Sequence, residues 1–135
     1  MSFELQGRSD FHPFSVQIVD DDKVVYGYLL ENGSIVGDVW LYNRMPAPAV
    51  PEWELPDGRE RLPFLNPRRF VRNSEGETHG LNDFEVRWSE RGVAIYLYGK
   101  ILAIIMEGDK PGRCRNAVSE NQVARVLKLP TEGEG

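Results

Sequence analysis

One cysteine, two histidines and no apolar run longer than six residues leave this 135-residue chain little of the usual catalytic raw material. The lone thiol, Cys114, excludes an intrachain disulfide and points to a reducing, cytoplasmic setting. The longest apolar run, Ile101 to Met106, falls far short of the roughly 18 residues of a spanning helix, so no membrane segment is expected. Residues 1–14 carry no basic stretch ahead of an apolar run, so no secretory signal is expected. No Walker loop, dinucleotide fingerprint, H-E-x-x-H or paired C-x-x-C is present. His12, His79 and Cys114 are too few and too scattered for a zinc site, and no metal or cofactor is expected. Glu75, Glu77, His79 and Asp83 could offer alternating ligands to a divalent cation, but their spacing matches no calcium loop.

What is present is a mixed, foldable composition. Hydrophobic residues at 41% and charged residues at 27% exclude a disordered tail. The net charge of -5 is uneven. Residues 1–56 hold nine acidic and three basic side chains, whereas 57–91 balance at seven each and 92–135 are slightly basic. The acidic third repels phosphate backbones and favours a basic partner, so nucleic acid is not an expected ligand.

Phe14, Val16 and Ile18 alternate with Ser15, Gln17 and Val19, the period of a half-buried strand. Asp20-Asp21-Asp22-Lys23 breaks it as a turn. Val24 to Leu30 reads as a second strand, Asn32-Gly33 as a hairpin turn and Ile35 to Tyr42 as a third strand. The plan recurs later. Phe84, Val86 and Trp88 alternate with polar residues, Glu90-Arg91-Gly92 turns, Val93 to Tyr98 is a strand, Gly99-Lys100 turns, and Ile101 to Met106 follows.

Between these meanders, residues 44–83 hold six of the nine prolines, which rules out a central strand or long helix through Pro67. Trp53, Leu55, Phe64, Leu65, Phe70 and Val71 are too apolar for a free linker, so the segment should lie across the sheets. Near the end, Ser119 with Gln122 makes a capping-box pattern ahead of Val123, Val126 and Leu127, which predicts a helix over 119–128. The expected fold class is therefore mainly β, a β-rich α+β arrangement within one domain over 1–135. Two antiparallel three-stranded meanders (14–43 and 84–107) form a sandwich or small barrel, joined by the proline-rich cover (44–83) and followed by the helix.

Asp38 is the one charge inside the third strand, and it needs solvent or a partner. Asp38, Trp40 and Tyr42 fall on one face of the third strand, opposite Val39 and Leu41. That face is either core under the proline-rich cover or an aromatic surface, to which Tyr26, Tyr28, Tyr96 and Tyr98 would add. Asp20, Asp21, Asp22, Asp38, Trp40, Tyr42 and Trp53 are the expected partner-binding residues. Arg59, Arg61, Arg68, Arg69 and Arg72 are expected to pair with the acidic third. Cys114, between Arg113 and Arg115, could carry a lowered thiol pKa and act with His79, but no oxyanion hole is marked and no residue is expected to be catalytic.

Three functions fit. The first is a non-enzymatic binder of a basic protein. In size, acidity and want of catalytic motifs the chain resembles bacterial immunity or antitoxin-type inhibitors, a resemblance that implies a basic active site as partner and carries over no residues. The second is a small-ligand binder closed by the proline-rich loop, and the third an enzyme using Cys114 and His79, or a carboxylate site.

Overall fold

Alternating apolar residues punctuated by tight turns give two antiparallel meanders, as the periodicity requires. In a computed structural model, which describes residues 3–8 and 13–128 (3–8 and Leu81 by backbone alone), strands β1 (Phe3–Arg8), β2 (Phe14–Asp20), β3 (Val24–Glu31) and β4 (Ser34–Asn43) form one antiparallel sheet in that order. Strands β5 (Phe84–Ser89), β6 (Gly92–Leu97), β7 (Lys100–Met106), β8 (Arg113–Cys114) and β9 (Arg125–Val126) form the second, whose last pair is parallel. The expected three-stranded meanders are thus parts of larger sheets, extended by β1 in the first and by β8 and β9 in the second. Asn32 and Gly33 both adopt positive φ (51° and 86°), as a two-residue hairpin demands. The β6–β7 turn sits one residue earlier than expected, on Tyr98 and Gly99, which also have positive φ (52° and 77°).

The sheets share one apolar core. Val16, Ile18, Val25, Leu29 and Leu41 from the first meet Val93, Ile95, Leu102 and Ile105 from the second. They approach most closely at two glycines. A Cβ on Gly27 would lie 3.0 Å from Ile95 Cδ1, and one on Gly37 would lie 2.5 Å from Ile105 Cγ2. The outer edge of β4 is not left open. Asp38 N donates to Asp109 O, Asp38 O accepts from Gly112 N, and Trp40 N donates to Val123 O. The chain after β7 therefore covers an edge that would otherwise invite pairing with another molecule.

No helix forms over 119–128, which corrects the expected C-terminal helix. Asn121 Oδ1 accepts from the backbone N–H of Val123 (2.9 Å) and of Ala124 (3.3 Å), a local side-chain turn that competes with helical pairing. Arg125 N is taken by Gly112 O, and Arg125–Val126 become β9. The capping-box pattern of Ser119 and Gln122 lost to these bonds. Among the described residues, helical structure is confined to short 3-10 turns at Glu52–Glu54, Gly58–Arg61, Arg68–Phe70 and Leu81–Asp83. Among the described residues no helix is long and apolar enough to cross a membrane.

The proline-rich segment is hydrogen-bonded to the first sheet. Tyr26 Oη donates to Phe64 O (2.7 Å), and Asn43 pairs with the Asn66 backbone in both directions (2.9 Å each). Leu65 and Val71 are buried, and Trp53 packs edge-on against Phe64.

Candidate functional site

The register of β3 and β4 decides which side chains meet. Tyr28 pairs with Asp38 and Tyr26 with Trp40, but Val25 pairs with Tyr42, so one residue, Leu41, is extra on β4. Paired residues share a face, so this shift separates what regular alternation would keep together. Asp38 and Trp40 lie with Tyr26 and Tyr28 on the face under the proline-rich segment. Tyr42 turns to the opposite face, where it stacks on Phe84 and meets His79 edge-on. The expectation of one Asp38–Trp40–Tyr42 face is corrected by this shift. Trp40 and Tyr42 are also only 1% exposed, which makes them core residues and not a surface for a partner.

A pocket of about 440 Å³ opens on the first of these faces. Tyr26, Tyr28 and Asp38 form its floor, Leu62, Pro63 and Phe64 its roof, and Gln122 with Val123 its side. The volume falls in the range of small-ligand sites, and the lining of aromatic and aliphatic walls with few polar groups suits one. The rings of Tyr26 and Tyr28 are nearly parallel (15°), with centroids 6.1 Å apart. Burial raises the pKa of both phenols, so they are neutral at physiological pH. Tyr26 Oη is held by Phe64 O, which ties floor to roof.

Asp38 is the exception in this lining. Its backbone is fixed on both sides, by β3 and by the Asp109–Gly112 segment. Its half-buried carboxylate has no hydrogen-bond or ion-pair partner among the described residues. Burial raises its pKa, and the Lys110 charge offsets this only in part. A carboxyl whose pKa is higher folded than unfolded binds more protons when folded, so its stability contribution falls as pH rises through and above the usual carboxylate range. Asp38→Asn is therefore expected to raise the melting temperature at neutral pH. The gain should shrink when the scan is repeated at a pH below that range. A gain independent of pH would show that desolvation of the charge is not its source.

The other sequence candidates have structural work. Asp20 is buried, 2.7 Å from Arg44 Nη1, and accepts from Asp22 N. Asp21 Oδ1 accepts from Lys23 N and Val24 N, and Asp22 reaches Arg44 at 3.4 Å. Trp53 backs the pocket roof through Phe64. Of the arginines expected to pair with the acidic third, Arg61 does so with Glu52 (3.7 Å) and also with Asp57 (3.0 Å). No pairing of Arg59, Arg68, Arg69 or Arg72 with an acidic side chain is seen among the described residues. Arg69 lies over the Phe70 ring, and Arg72 donates to Arg115 O.

Cys114 lies fully buried in β8, its thiol facing Leu41 O at 3.3 Å. Burial pushes its pKa up to about 12, outweighing the backbone N–H of Asn116 and the Arg115 charge, so the nucleophilic thiolate is suppressed. His79 makes no hydrogen bond to it. Instead His79 Nδ1 meets Tyr98 Oη (2.8 Å), which donates to Asp83 Oδ2 (3.2 Å). This network fastens the loop before β5 to the β6–β7 turn. His12 lies outside the described residues. Among the described residues no group of three or more His, Cys, Asp or Glu side chains is placed to hold a metal ion.

No sequence pattern marks the pocket. Asp38 was visible as the one charge in an apolar strand, and Tyr26 and Tyr28 as a same-face pair. Nothing in the pattern placed Leu62–Phe64 above them. No protein-family model, curated protein or solved structure matches the chain.

Proposed function

We propose that this chain is a non-enzymatic binding protein whose ligand occupies the pocket between β3, β4 and the proline-rich roof. The observation that carries this reading is the pocket itself, of small-ligand size, with a carboxylate on its floor that has no hydrogen-bond or ion-pair partner among the described residues. A half-buried carboxylate without a protein partner is partly desolvated at a cost to stability, and such costs are retained where a ligand uses the group. Binding is favoured over catalysis because Cys114 is buried and protonated while His79 is engaged with Tyr98. A basic protein remains compatible as the carrier of the ligand group, since the N-terminal third keeps its acidic excess. Contact through Trp40 or Tyr42 is not part of this reading.

Gln122 is exposed at the pocket side, so a larger side chain there can fill the space without entering the core. Gln122→Trp is expected to leave the melting temperature within about 2 °C and to abolish binding of small aromatic and amine fragments seen by ligand-observed NMR with the parent protein. Fragment binding that survives this substitution would place the binding site elsewhere.

A further inference from the structure

Resting on that reading, we infer that the pocket selects an organic cation, an ammonium or guanidinium head group, held between the Tyr26 and Tyr28 rings and the Asp38 carboxylate. Three features converge on this chemistry. First, Asp38 presents a carboxylate to the pocket, and among the described residues it has no hydrogen-bond or ion-pair partner and Lys110 is the only cation whose charge registers on it. Lys110 is exposed and makes no ion pair with it, so it leaves the carboxylate available. Second, Tyr26 and Tyr28 stand side by side on the strand that pairs with Asp38, and Phe64 closes the roof. Aromatic faces carry negative quadrupole potential, and an alkylated cation gains from them most where water is partly excluded. Third, the polar atoms available suit a donor. Tyr26 Oη spends its proton on Phe64 O, so its remaining lone pair can only accept, and Gln122 adds an adaptable amide at the side.

An anionic ligand would face Asp38 with no cation in the wall to answer it. A neutral apolar ligand would bury the carboxylate without compensating it. An organic cation satisfies the carboxylate and the rings together. The head group can come from a free small molecule or from a lysine or arginine side chain of a protein partner, because the recognising groups are the same.

Titration calorimetry with four probes separates these cases: choline, its neutral carbon isostere 3,3-dimethylbutan-1-ol, and two capped tripeptides, Gly-Lys-Gly and Gly-Arg-Gly. Choline or a basic tripeptide is expected to bind at least tenfold tighter than the neutral isostere. Asp38→Asn should lower that affinity about tenfold while the protein stays folded, and Tyr28→Leu should lower it several-fold. Stronger binding of choline identifies a small-molecule source, and stronger binding of a tripeptide a side-chain source. Equal affinity for choline and the isostere, with no effect of Asp38→Asn, overturns the cation inference and leaves the pocket as an apolar ligand site. Failure of all four probes, together with no fragment binding to the parent protein, overturns both the inference and the binding function.

Discussion

Asn43→Ala is expected to destabilise the protein by about 4 kcal/mol and to release the pocket roof. The side chain of Asn43 is buried and serves three partners at once. Its Oδ1 accepts from Trp40 Nε1 (2.8 Å) and from Asn66 N (2.9 Å), and its Nδ2 donates to Asn66 O (2.9 Å). Truncation strands three buried polar groups, each costing roughly 1–3 kcal/mol when left without a partner. Against a typical total stability of about 5–15 kcal/mol, such a loss consumes much of what holds the fold. Asn66 follows the Leu62–Phe64 roof by only two residues, so the same change should also weaken ligand binding under conditions where the variant remains folded. Urea denaturation measures the first effect and calorimetry the second. A loss below about 1 kcal/mol would show that the roof is held by other contacts.

Asp20→Ala is expected to cost about 3 kcal/mol, whereas Asp21→Ala should cost about 1 kcal/mol. The two residues are adjacent in an acidic turn and look alike in sequence. The carboxylate of Asp20 is buried and paired with Arg44 at 2.7 Å, and removing one member of a buried pair leaves the other charge uncompensated. Asp22, at 3.4 Å from the same guanidinium, offers partial replacement, which keeps the expected loss at the lower end for such pairs. Asp21 only caps the turn by accepting from Lys23 N and Val24 N. Denaturation of the two variants side by side tests the assignment. Equal and negligible losses would return the whole turn to the protein surface as a candidate contact. A charge reversal of all three aspartates is not a neutral probe of partner binding, because the Asp20 change alone is expected to destabilise the fold.

These residues show what the chain disclosed and what it withheld. The alternation of Phe14, Val16 and Ile18, and of Phe84, Val86 and Trp88, was enough to place two meanders, because one buried face imposes a period of two. Asn32-Gly33 marked its turn through a backbone requirement that few residues meet. By contrast, β1 offers only Phe3 and Leu5 as alternating apolar residues, too few to stand out. The extra residue at Leu41 reverses the assignment of Tyr42, and nothing local announces it. The helix expected over 119–128 failed because Asn121 and the β4 edge claimed the backbone groups it needed. The pocket depends on how some forty residues drape over a sheet. Its floor was therefore legible as Tyr26, Tyr28 and Asp38, while its roof was not.

The central claim is that ligand binds on the Tyr26–Tyr28–Asp38 face beneath Leu62–Phe64. The most direct test is amide chemical-shift mapping of the isotope-labelled protein during separate titrations with choline and 3,3-dimethylbutan-1-ol. The account predicts saturable shifts at Tyr26, Tyr28, Asp38, Leu62, Phe64, Gln122 and Val123, larger with choline at Asp38. Shifts confined to the Asp20–Asp22 turn or to the His79–Tyr98 region, with this face unmoved, would contradict it.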